Sequence, residues 1–129
     1  MKNMSLLKNM IDRIQADVSK YPGDPNNEES ILVNIEGLNG SGHSVFSFQL
    51  GYSGTEEDWK SLVEVCCGHG EYILCHDDTD DMIHVFNEWV SFEIHPKYNI
   101  GHMSFTVPKT ACIDAFRCVY DTIKKMKME

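Results

Sequence analysis

The sequence predicts an α+β domain: an antiparallel β-sheet of about five to six strands, with N- and C-terminal helices packed on one face and a short middle helix. Apolar residues recur at helical spacing at both ends of the chain and alternate with polar residues through most of the middle. The connections are short, which suits antiparallel neighbours. At 129 residues, with 42% hydrophobic and 24% charged content, residues 1–129 form one globular unit with a core of its own.

The first helix is expected over about Ser5 to Lys20, where Leu7, Met10, Ile11, Ile14 and Val18 make an apolar stripe. Tyr21-Pro22-Gly23-Asp24-Pro25 ends it. Two strands follow: Ile31, Val33 and Ile35 alternate with polar residues, as do Phe46, Phe48, Leu50 and Tyr52. Asn39-Gly40 marks a hairpin between them, and Gly42 lengthens its loop beyond two residues. Thr55 caps a second helix whose first turn carries Glu56, Glu57 and Asp58, acids that suit the positive helix end. Trp59, Leu62, Val63 and Cys66 form its apolar face, and Gly68-His69-Gly70 stops it. A strand at Glu71–His76 leads into the acidic turn Asp77-Asp78-Thr79-Asp80-Asp81. Ile83 and Val85 share one parity and Val90, Phe92 and Ile94 the other, so a turn or bulge belongs at Asn87-Glu88. Met103, Phe105 and Val107 make the last strand before Pro108, and Lys109–Met126 the closing helix.

Charge is the feature that bears most on function. Residues 21–108 hold 15 carboxylates against Lys60 and Lys97, a balance of −13, whereas the whole chain carries −9. Such a body repels nucleic acid and anionic membrane and attracts basic protein surfaces. The N-terminal apolar stretch is broken by Lys8, Asn9 and Asp12, and no apolar run reaches the length of a membrane span, so a cytoplasmic location is expected. Five cysteines, two of them adjacent, read as reduced, buried thiols.

Reactive constellations fail on their structural requirements. Cys66, His69, Cys75 and His76 are the right atoms for zinc, but no Cys-x-x-Cys pair is present. Asp77–Glu88 has the length of a calcium loop with Met82 where a glycine is needed. His84, His95 and His102 lack a nucleophile or a carboxylate at matching spacing. The glycines at 37–42 lack the lysine and helix of a phosphate loop. The expectation is therefore no enzyme, no catalytic residue, no metal and no cofactor. Trp89 lies on the face opposite Val90, Phe92 and Ile94, beside Glu88. It either covers a second small core beneath the middle helix or stands as an aromatic anchor ringed by acids, as protein-binding hot spots do.

In size, charge and α+β pattern the whole chain resembles the bacterial immunity proteins of contact-dependent-inhibition and related polymorphic toxin systems. The resemblance implies a cognate toxin whose basic cleft is masked by an acidic surface. The residues expected to meet that partner are Asp77, Asp78, Asp80 and Asp81, supported by Glu56, Glu57, Asp58, Glu88 and Trp89. Three rivals remain: a phage anti-defence inhibitor using the same electrostatics, a metal-dependent enzyme built on the Cys/His set, and a small-molecule sequestering protein with an aromatic-lined sheet face.

Overall fold

The computed structural model describes residues 11–20, 31–50, 54–75, 81–94 and 103–127. These build two antiparallel sheets and two helices, with half of the residues in strands. Sheet A has the order β1 (Ile11–Lys20), β2 (Ile31–Asn39), β3 (Ser44–Gln49). Sheet B has the order β4 (Tyr72–Cys75), β5 (Met82–Phe86), β6 (Trp89–Ile94), β7 (Met103–Pro108). The helices are α1 (Glu56–Cys67) and α2 (Ile113–Lys127), the latter preceded by a 3-10 turn at Lys109–Ala111.

This corrects the single sheet of five to six strands and, most directly, the N-terminal helix. Ile11–Lys20 is a strand. Ile14, Val18 and Ile11 satisfy a helical stripe, but Ile14, Ala16 and Val18 also satisfy a period of two, and the pairing partner decides. They lie opposite Gly37, Ile35 and Val33 of β2, whose Val33 and Ile35 are fully buried. A nine-residue neighbour with a buried face outweighs local helical preference, and β-branched residues suit the pleat. Residues 5–10, the start of the expected helix, fall outside the described set. The expected pairing of two terminal helices is replaced by α2 packing beside α1 and against β1.

The β2–β3 loop is longer than a two-residue hairpin, as expected. Asn39 organises it: its side-chain oxygen accepts the Ser41 and His43 amides at 2.9 and 3.0 Å. The start of α1 is a full capping box. Thr55 Oγ1 accepts the Asp58 amide at 3.2 Å, and Asp58 Oδ2 accepts the Thr55 amide at 2.8 Å. The change of phase after Val85 is the tight β5–β6 turn, with Asn87 at φ 50.

One continuous cluster of buried side chains joins both sheets and both helices. Trp59 of α1 meets Phe116 of α2 edge-on at 5.6 Å, and Phe116 meets Phe92 of β6 at 6.2 Å. Phe46 of β3 stacks on Phe105 of β7 with centroids 4.1 Å apart, so the rims of the two sheets are bridged by rings rather than by a backbone ladder.

Candidate functional site

Register fixes what sheet B offers to its surroundings. Leu74, Ile83, Val85, Val90, Phe92 and Val107 are buried, and cross-strand partners share a face. The opposite face therefore carries Ile73, His84 and Ser91 in one row and Phe86, Trp89 and Pro108 in the next. Ile73 and Trp89 are each 45% exposed, a large apolar display for so short a sheet. His84 and Phe86 are half-buried with ring centroids 4.8 Å apart, and His84 Nε2 lies 2.7 Å from Glu71 Oε1.

Beside Trp89 the chain forms a cleft of about 1050 Å³. One wall is the end of α1 and the loop after it, from Cys66 to Glu71; the other is the β5–β6 turn with Trp89, facing Pro108, Lys109 and Thr110. The walls are tied together locally: the Lys109 amide donates to the Glu88 carbonyl at 2.9 Å, and Lys109 Nζ reaches the Gly68 carbonyl at 3.4 Å. The Cys66 thiol lies on this wall and is mostly buried. Burial pushes its pKa up to about 11, against the opposing pull of the nearby Lys109 charge.

The described residues among those expected to form a partner surface are dispersed. Trp89 and Glu88 are exposed together at the β5–β6 turn. Asp81 is half-buried just before β5, at the other end of that strand, and Asp77, Asp78 and Asp80 fall outside the described residues. Glu56 and Glu57 sit in the first turn of α1, half-buried and exposed respectively. Asp58 serves the fold. Besides closing the capping box it accepts the Tyr72 hydroxyl at 2.5 Å, fastening α1 to β4. Trp89 lies on the face of sheet B away from the core, whereas α1 meets β4 and β5, and Phe116 of α2 meets Phe92 from the core side. Its indole is 45% exposed, so the second core envisaged beneath the middle helix is not what it covers.

Among the described residues the thiols and imidazoles do not converge. Cys66 and Cys112 are buried, whereas Cys67, Cys75 and Cys118 are exposed, which corrects the expectation that the thiols are buried alike. Cys66 is part of the core and Cys75 stands on the outer face of sheet B. His76, His95 and His102 fall outside the described residues, and among those described no group of three metal-binding side chains assembles. Sequence reasoning missed Lys109, taken only as the start of a helix, and Ile73. Alternation could have placed Ile73 opposite Leu74. Nothing in spacing announces that a lysine after a strand-ending proline will be buried.

Fold and site together define a small two-sheet α+β protein with an open, partly aromatic sheet face and an adjoining cleft. No family model, curated protein or solved structure matches the chain. Among the described residues no helix is long and apolar enough to cross a membrane.

Proposed function

We propose that this chain is a non-enzymatic binding protein of the immunity type, which neutralises a cognate toxin domain by covering its basic active-site cleft. The observation that carries this reading is the outer face of sheet B, where Trp89 and Ile73 are exposed within a stretch of chain whose charge is −13. An exposed tryptophan supplies contact area at low entropic cost, and surrounding carboxylates speed encounter with a cationic partner and bias its orientation. Glu71, Glu88 and Glu93 lie on or beside this face, and Asp81 stands at its far end, just before β5.

The test is co-purification with the product of the gene immediately upstream, followed by stopped-flow association at several salt concentrations. A one-to-one complex is expected, with association slowing as salt rises. Replacing Asp77, Asp78, Asp80 and Asp81 by asparagine should slow association by about tenfold at low salt with little change in dissociation. Trp89→Ala should speed dissociation, costing about 2 kcal/mol or more of binding. Absence of a complex, or association indifferent to salt, refutes the reading.

A further inference from the structure

Lys109 is the one buried charged side chain among the described residues, 8% exposed, and it lines the cleft beside Trp89. An ammonium has three hydrogens to donate. Here its recorded partner is the Gly68 carbonyl at 3.4 Å, a long contact, and no carboxylate among the described residues lies within ion-pair distance of it. Glu71 is engaged by His84 at 2.7 Å. The neighbouring Cys66 supplies no counter-charge, because burial keeps its thiol protonated at neutral pH. An ammonium drawn largely out of water, with no carboxylate beside it, gains from an anion placed against it.

The remaining lining selects which anion. A single ammonium balances a single negative charge, and Glu71 and Glu88 nearby disfavour a multiply charged ligand such as a phosphate. Both glutamates are exposed, so solvent and salt weaken their repulsion of a monoanion held deeper, against Lys109. Trp89 and Pro108, both exposed, offer apolar surface for the rest of the molecule. We infer that the cleft is a binding site for a carboxylate bearing an aromatic or similarly flat group, its carboxylate accepting from Lys109 Nζ and its ring lying against the Trp89 indole. This inference stands apart from the proposed toxin partner, since it concerns the free protein.

The probe is benzoate, titrated at constant ionic strength into the isotopically labelled protein, with benzamide as its uncharged counterpart. Nuclear magnetic resonance follows the Trp89 indole N–H and the Gly68 and Lys109 amides. Saturable shifts are expected with benzoate, and binding about tenfold weaker or worse with benzamide. Lys109→Met should erase that preference, Lys109→Arg should keep it, and Trp89→Ala should weaken both probes. N-acetyl-phenylalanine binding more tightly than benzoate would assign the ligand to a peptide chain end, and the reverse order to a small aromatic acid. Equal shifts with benzoate and benzamide on the unmodified protein, or no saturable shift with either, overturn the inference even where a variant fails to fold. Neither result touches partner association, so the two readings fail separately.

Discussion

Replacing Gly37 by alanine would put a methyl group where the Phe46 ring lies. The two residues are cross-strand partners in sheet A, and an added Cβ would sit 2.8 and 2.9 Å from the ring Cδ1 and Cζ. The ring has little room to withdraw. Phe46 is 8% exposed, stacks on Phe105 at 4.1 Å, and meets Phe48 and Phe92 at 5.8 and 6.1 Å. Alanine would gain about 0.5–1 kcal/mol by restricting the unfolded chain. Overpacking of a filled core costs about 1–3 kcal/mol, so the overpacking wins and a net loss of about 1–2 kcal/mol is expected. In a domain of this size that lowers Tm by about 3–5 °C per kcal/mol. The assay is urea unfolding of the native protein, Gly37→Ala, Phe46→Leu and the double variant. Leucine lacks the ring atoms Cε1 and Cζ that meet the new methyl, so the Gly37→Ala penalty should shrink or reverse in that background. Coupling of about 1 kcal/mol or more is expected between the two sites. A neutral or stabilising Gly37→Ala, or an equal penalty in both backgrounds, would show that the ring does not occupy this glycine.

The capping box gives a second prediction: Thr55→Ala should cost about 1 kcal/mol, and Asp58→Ala more, because it also strips the acceptor from the Tyr72 hydroxyl. Equal denaturation midpoints for the two variants would argue against the Tyr72 contact. Thiol titration of the native protein should label Cys67, Cys75 and Cys118 quickly and spare Cys66 and Cys112 until unfolding. Five fast thiols would refute that burial. The same two buried thiols set an alkaline limit. Burial raises both above the usual thiol value, Cys66 to about 11, so the folded state holds protons that the unfolded chain releases. Their contribution is complete below about pH 8.5 and is lost as pH climbs through the folded value of Cys66, about 11. Denaturant midpoints should therefore fall from pH 9 toward 11, and Cys112→Ala should flatten the fall. Acrylamide should quench the fluorescence of Trp89 readily and that of buried Trp59 poorly, so Trp89→Phe should remove the quenchable part.

Where local chemistry suffices, the sequence was legible. Thr55 with its following acids, the Asn39 loop, and the parity change at Asn87-Glu88 each rest on residues within a few positions of one another, and each element stands where the pattern placed it. The first strand was misread because Ile14 and Val18 fit two periods at once, a helical stripe with Ile11 and an alternation with Ala16. No residue within 11–20 distinguishes them. The partition of the strands into two sheets was equally hidden, since the boundary at Phe46 and Phe105 depends on rings nearly sixty residues apart along the chain.

The amino-acid order by itself determined the acidic balance, the caps, the turns and which face of most strands is apolar, because these follow from short-range sterics, hydrogen bonding and charge counting. Only the tertiary structure decided that residues 11–20 pair with β2 and that Asp58 faces Tyr72. It also decided that Lys109 ends up enclosed beside Trp89. Those outcomes depend on which distant surfaces meet, and the free energy of burying them together exceeds the small local preferences that a sequence displays.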